Sequence, residues 1–377
     1  LREIMARQRQ HITYIDPQGV GIVLRLLTTR GIGERVIDRI LLDVFSRGDG
    51  LISLMTLSAQ ELAIRYKIKI ELAESFLACN DLAERLSHEL MNRGVVVLLK
   101  GMPDYPLHLS NALGAQAPPV LFAQGNLDLF QMPAVGFCGS RKASHKGLAV
   151  AAECASILAS KGINVISGYA SGVDLVAHRS SLEVGGVTTI VLAEGILCFK
   201  AKSDVKNLLR DENHLVVSTY SPRLPWSAHQ AMARNRIING LSNAMIVIES
   251  GDKGGTFEAG IAALELRRPL FVVEYAQPAP SASGNKYFLE RGATPLRRDC
   301  SRQANMAGLL KAVQQQKESG NSSKPETRTL FTNIPTAKMD DKKVQKKAPE
   351  IFVSRDLLSM QAKGTDKKSI FVEDKVK

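Results

Sequence analysis

Three glycine-rich stretches hold the residues best suited to chemistry. The first, Gly136-Phe137-Cys138-Gly139-Ser140-Arg141-Lys142, follows an apolar run and precedes a helix-like segment that begins near Lys146. Small residues let a chain turn sharply at a strand end, and the next helix offers free N–H groups and a partial positive charge to an anion. Arg141 adds a planar guanidinium that can grip a phosphate through two parallel hydrogen bonds, which an ammonium cannot. The second stretch is Ser167-Gly168-Tyr169-Ala170-Ser171-Gly172-Val173-Asp174, with His178 one turn later. Asp174 reads as a cap on the following helix. His178 reads as structural, because no serine or cysteine nucleophile is set beside it. The third is Arg234-Asn235-Arg236, which leads through an apolar run to Gly254-Gly255-Thr256-Phe257-Glu258. Together these predict one phosphate-binding edge made of Gly139, Ser140, Arg141, Lys142, Ser167, Gly168, Arg234, Asn235, Arg236, Gly254, Gly255 and Thr256. No catalytic residue, metal ligand or cofactor is expected.

Such an edge needs strands that end together. From Val95 to about Arg298 short apolar runs alternate with helix-length segments such as Lys146 to Ser160 and Thr256 to Leu266. The runs are Val95 to Leu99, Val120 to Ala123, Ala134 to Cys138, Asn164 to Ser167, Thr188 to Leu192, Leu215 to Ser218, Ala244 to Glu249 and Leu270 to Glu274. Alternation of strands buried on both sides with helices predicts an α/β fold with a doubly wound, mainly parallel sheet of extended Rossmann type. Ligands of such sheets sit at the carboxyl ends of the strands, where Gly, Ser, Arg and Asp concentrate here. Residues 1–92 carry apolar positions at three and four spacing and predict a small helical domain, helix-hairpin-helix or SAM-like. Within it Ser58 and Glu61 form a capping box, and Thr29 to Gly33 is either a tight turn or a phosphate-contacting hairpin. Residues 93–312 would form the Rossmann domain. Residues 313–377, a Lys-rich linker and tail, lack sustained periodicity and read as mostly disordered, with two small apolar islands at Ile351-Phe352-Val353 and Ile370-Phe371-Val372.

Composition narrows the partner. The chain of 377 residues has a formal net charge of +12, which favours a polyanion. Fourteen basic against nine acidic residues follow Gln316, so both the folded part and the tail share the excess. No apolar run is long enough to span a bilayer and no leader-like segment opens the chain, so a cytoplasmic protein without membrane contact is expected. The five cysteines, Cys79, Cys138, Cys154, Cys198 and Cys300, are scattered without a CxxC pair, which argues against a disulfide frame or zinc site.

At these residues a family resemblance appears. GSRKAS, SGYASGVDLVAH and RNRIINGLS stand in the order and spacing of the DprA/Smf family, preceded by Asp104-Tyr105-Pro106 and Ala117-Pro118-Pro119-Val120-Leu121-Phe122. The chain resembles that family over roughly residues 20–300. The resemblance implies single-stranded DNA binding without catalysis, a homodimer, and delivery of DNA to a RecA-type recombinase. By the same implication Ser140, Arg141, Arg234 and Arg236 line the DNA site. The chain departs from the family in having Gly254-Gly255-Thr256 where a Ser-Gly-Ser turn is usual, in lacking a Tyr-Pro pair between Ile196 and Lys206, and in a tail without a winged-helix pattern. Natural transformation, recombination and phage defence stay open as settings. Two other readings stand beside this one. One is a Rossmann-type nucleotide sensor. The other is a hydrolase similar to the cytokinin-activating phosphoribohydrolases, using Arg236 and Glu258; here Glu258 falls one position early, about 100° round a helix from where that motif needs it.

Overall fold

The computed structural model describes residues 15–78, 81–298 and 303–322, all within one compact unit that ends at Arg328. Five helices come first: α1 (Pro17–Thr28), α2 (Glu34–Ser46), α3 (Ala59–Tyr66), α4 (Ile70–Leu77) and α5 (Asp81–Asn92). Their starts follow from capping chemistry. The Asp16 carboxylate accepts from the Gly19 N–H at 2.7 Å with Pro17 in the first turn, and Ser58 and Glu61 form the expected reciprocal box. Between α1 and α2 the chain reverses at Gly31, whose φ of +103° a side chain would resist.

The sheet has nine strands, β1 (Val96–Leu99), β2 (Val120–Gly125), β3 (Ala134–Cys138), β4 (Asn164–Ser167), β5 (Thr188–Val191), β6 (His214–Ser218), β7 (Ala244–Val247), β8 (Leu270–Val273) and β9 (Thr294–Leu296). Their order is β1-β2-β6-β5-β4-β3-β7-β8-β9, antiparallel from β1 to β6 and parallel from β6 to β9. Every strand expected from the apolar runs is present, with ends shifted by at most two residues. The edge strand β9 was not expected: three residues with Pro295 at the centre give no periodic signal, and proline is tolerated only at such an edge.

Alternate strand residues feed opposite cores. Val97, Phe122, Ile190 and Val216 pack beneath the N-terminal helices. On the same face Val135, Phe137, Val165 and Ile246 meet α7 (His145–Ser160), α8 (Val173–Glu183) and α13 (Ala307–Ser322). The other face packs on α6 (Leu107–Leu113), α10 (Ala228–Leu241), α11 (Gly255–Glu265) and α12 (Asn285–Leu289). A short α9 (Ser203–Lys206) lies against α8.

Two domain boundaries read from sequence differ from what is seen. The N-terminal helices share a hydrophobic core with β1, β2, β5 and β6, so 92/93 divides elements rather than cores. The 312/313 boundary falls inside α13, whose Met306, Leu309 and Val313 are buried on the sheet; the run of glutamines after them masks a helical stripe that is already complete. The remainder of the tail, both apolar islands, Cys79 and Cys300 lie outside the described residues. Cys138 and Cys154 are free and buried, and Cys198 is free and half-buried. Among the described residues no helix is long and apolar enough to cross a membrane.

Asn285 ties the ends of β7 and β8 together. Its amide oxygen accepts from the Ser250 N–H at 2.8 Å, and its nitrogen donates to the Ile248 and Val273 carbonyls at 2.9 Å. All three bonds are buried, so Asn285→Ala strands several polar groups out of water and is expected to destabilise by about 3 kcal/mol. A lowered denaturation midpoint at unchanged slope checks this.

Candidate functional site

The strand order creates a crevice. From β3 the chain winds through β4, β5 and β6 on one side, then crosses back on α10 to place β7 on the other side of β3. At such a switch point the loops leaving two neighbouring strands part in opposite directions, opening a cleft at their carboxyl ends. Here that cleft is a cavity of about 470 Å³. It is lined by Gly139, Ser140 and Arg141 after β3, Ala170 and Asp174 after β4, Arg234 and Asn235 on α10, and Lys253, Gly255 and Thr256 after β7.

Backbone bonds and one buried carboxylate fix the loops. The Ser140 N–H donates to the Glu249 carbonyl at 2.8 Å, and Gly172, at φ +82°, allows its loop to lie against Ser140, whose carbonyl oxygen would be 2.5 Å from any Cβ. The Glu249 carboxylate, wholly buried, accepts from the Ser144 N–H at 2.8 Å and from the hydroxyls of Ser144 and Ser281 at 2.5 and 2.6 Å. Ser144 in turn caps α7. Glu249 therefore joins the end of β7 to the start of α7. Sequence reasoning used it only as a strand end.

Arg234 is the central cation. Its side chain emerges from α10 into the crevice, the residue is only 7% exposed, and its Nε has no hydrogen-bond partner. Among the described residues no carboxylate oxygen comes within 4.0 Å of its guanidinium. Burial pushes its pKa down, opposed chiefly by the field of Asp174. Asp174 is itself buried, and that burial raises its pKa against the pull of Arg234. Its carboxylate accepts from the Ala170 N–H at 3.3 Å, so it braces the β4 loop rather than the N–H groups of α8. Gly168 makes room for the arginine, since a Cβ there would collide with the guanidinium. On α10 the Asn235 amide donates to the Gly255 carbonyl at 2.8 Å, and Asn239 donates to Ala259 at 3.1 Å. These bonds hold the uncapped start of α11, where Gly254 has φ +99°, at the crevice with its N–H groups free for an anion.

Of the residues expected from sequence, Gly139, Ser140, Arg141, Arg234, Asn235, Gly255 and Thr256 meet in this cavity. The others do not line it. Ser167 is buried and donates its hydroxyl to the Phe137 carbonyl at 2.8 Å, and Lys142 is exposed outside the lining. Gly168 lies behind Arg234, and Gly254 precedes α11. Arg236 does not share the edge with Arg234: two positions apart on a helix place side chains about 200° apart. Its guanidinium meets Gln116 at 2.6 Å and Glu265 at 3.4 Å. Glu258 is exposed on α11 and is not among the lining residues.

A second cavity of about 340 Å³ adjoins the first through Arg141, Ala170 and Arg234. Trp226, 49% exposed, lies there with the Arg141 guanidinium 5.5 Å from its ring centroid, and Tyr169, Lys200 and Lys202 complete the cationic side. Trp226, Lys202 and Lys253 were missed in the sequence. The one available signal was a lone tryptophan in the link Ser221-Pro222-Arg223-Leu224-Pro225-Trp226.

His178 is structural, as expected. Its Nε2 donates to the Gly168 carbonyl at 2.5 Å and its Nδ1 faces the Thr188 hydroxyl at 2.6 Å. Burial, opposed by the Gly168 bond, pushes its pKa down to about 4, and Arg234 pushes the same way. The folded state therefore binds fewer protons than the unfolded chain between the two pKa values. The stability that His178 contributes is complete above the ordinary histidine value and is lost as pH falls toward 4, a change of about 3 kcal/mol. His178→Gln should flatten the fall in melting temperature across that window. An unchanged pH profile in the variant would show that the imidazole titrates alike in the folded and unfolded states.

Comparison with known proteins follows the same architecture. Residues 96–305 match the family described as DNA recombination-mediator protein A. The chain is 33% identical over 192 residues to DNA processing protein DprA of Streptococcus pneumoniae, covering 50% of this chain and 66% of that one. It is 30% identical over 178 residues to protein Smf of Escherichia coli, covering 47% and 48%, and 30% identical over 206 residues to DprA of Bacillus subtilis, covering 53% and 68%. The chain thus spans from 48% to 68% of the length of these relatives. The X-ray structure of the Streptococcus pneumoniae protein is similar with a TM-score of 0.62 at 26% identity, covering 73% of this chain and 94% of the other. With a match across more than half its length, a shared sheet and the three glycine-rich strand ends in place, the chain belongs to the DNA recombination-mediator protein A family.

Proposed function

We propose that this chain binds single-stranded DNA in the strand-end crevice and serves DNA processing or recombination without catalysing a reaction. The observation that carries this reading is Arg234, a buried guanidinium with an unpartnered Nε, beside Arg141, Lys253 and the open start of α11. Together they offer converging donors to a phosphate. Trp226, half exposed, stands next to them, and an aromatic face beside a cationic groove suits unpaired bases, which stack without regard to sequence. A base pair hides those faces within the duplex. The non-catalytic part rests on the lining: its one acid is Asp174, held back by Ala170 and drawn to Arg234, and the Ser281 hydroxyl is spent on the buried Glu249 carboxylate that also holds Ser144. By family likeness the same proposal places the protein in the cytoplasm, with a second copy of the chain and a RecA-type recombinase as partners.

Titration of labelled oligo-dT and of duplex at several salt concentrations tests the reading. Tight, salt-sensitive preference for the single strand is expected. A mononucleotide bound without any strand affinity would instead make the crevice a nucleotide sensor.

Arg141→Ala should weaken single-strand binding by roughly 1 to 3 kcal/mol, the scale of a charge-assisted contact, with little change in melting temperature because the side chain is exposed. The salt slope should fall by about 0.7 at the same time, and Arg141→Lys should restore the slope but only part of the affinity. Binding that survives both Arg141→Ala and Arg234→Ala sinks the site.

Glu258→Gln should leave strand binding unchanged, since the carboxylate lies outside the crevice lining. Release of a free base from a nucleoside monophosphate, lost in that variant, would overturn the non-catalytic reading.

A further inference from the structure

We propose that the second cavity is a base-reading slot in which Glu194 selects a base with adjacent hydrogen-bond donors, guanine above all; this rests on the strand-binding reading above. The starting observation is a carboxylate in the wrong company. Glu194 lines the cavity formed with Arg141, Lys202 and Trp226, where a phosphate would be repelled by it. Among the described residues its carboxylate receives no hydrogen bond and forms no ion pair, and Lys202 acts on it only through space. Its backbone, by contrast, is held firmly. The Glu194 carbonyl accepts from the Ser218 hydroxyl at 2.6 Å, the Gly195 N–H donates to Leu224 at 2.8 Å, and the Leu197 N–H donates to Pro222 at 2.9 Å. Gly195 lies so close to the Ser221 and Pro222 carbonyls that a Cβ could not fit. The strand-end loop bearing Glu194 is therefore zipped to the link bearing Trp226. An acceptor-only group and a flat aromatic face thus line one cavity, carried by loops tied to each other.

That pairing suits a base and not a backbone. An unpaired base presents its Watson–Crick edge to the protein and its face to an aromatic ring. Guanine carries N1–H and the 2-amino group side by side, matching the two carboxylate oxygens. Adenine and cytosine offer one amine next to a ring acceptor, and thymine offers one N–H between two carbonyls that the carboxylate repels. The expected order is guanine first and thymine last. A good two-point contact to a base discriminates by about tenfold.

The test is a competition series in an all-thymine oligonucleotide that carries one guanine at each position in turn. At the register that fills the slot, affinity should rise about tenfold over the all-thymine strand. Hypoxanthine at that position, which lacks the 2-amino group, should lose most of the gain on the wild-type protein. In Glu194→Gln the ratio of guanine to thymine affinity should collapse toward one. A flat scan with tight binding of the all-thymine strand overturns the slot and leaves strand binding standing. A hypoxanthine strand bound as tightly as the guanine strand overturns it too, whatever the variant does. Failure of every strand to bind removes the reading on which both stand.

Discussion

The structure turns on one desolvated charge. Taking a guanidinium out of water costs several kcal/mol unless another group replaces the water, and Arg234 is almost wholly buried with no carboxylate at ion-pair distance among the described residues. Asp174 offsets part of this through the field between them, but it is buried as well and that burial raises its own pKa. The fold nonetheless holds Arg234 in place through its surroundings. Gly168 clears space for the guanidinium, His178 fixes the Gly168 carbonyl, and Asn235, the next residue along the helix, anchors α11 beside it. On the proposed reading, an anion entering the crevice supplies what the protein lacks. Because the charge is already dehydrated, the attraction is stronger than the same contact at an open surface.

That local demand explains why the crevice has this position in the fold. The switch between β3 and β7 is where three loops can converge without crossing. Convergence alone would leave them loose, since glycine-rich loops lose much entropy on ordering. Glu249 counters this from below by accepting bonds from both Ser144 and Ser281, which lie on segments far apart in the chain. Its carboxylate is wholly buried and engaged by those donors, and Glu249 is not among the residues lining the cavity. The N-terminal helices act on the other end of the groove. Glu89 on α5 binds Arg223, in the link that carries Trp226, and Arg93 reaches the Leu197 carbonyl in the loop after Glu194.

Much of this was legible in the sequence, and the reasons for the rest are physical. Strands buried on both sides announce themselves as apolar runs, so all those expected were found, while β9 is too short and too polar to do so. The glycine-rich strand ends marked the site because backbone approach to an anion needs small residues. What could not be read was direction. Arg234, Asn235 and Arg236 look like one motif, yet a helical period of 3.6 residues sends the first into the crevice, uses the second as a tie to α11 and turns the third toward Glu265. Likewise Ser167 and Gly168 belong to the right loop but serve as strap and spacer. Trp226 and Lys202 come from connections whose placement depends on tertiary contacts with β5 and α8, and no local periodicity reports those.

The contrast between the acidic side chains of the groove carries the last step. Net charge alone would advise against any carboxylate near the proposed phosphate path, yet among the described residues Asp174 and Glu194 line the two cavities and Glu249 ties their loops. Glu249 is fully engaged by serine donors, and Asp174 is engaged by Ala170 and by the field of Arg234, so each has a task within the fold. Glu194 has none among the described residues, although its backbone is as tightly held as theirs. A group that is positioned by the scaffold yet unused by it is poised for a donor from outside. On the proposed strand-binding reading the cationic walls take the phosphates, and the donors left for Glu194 are those on the edge of a base.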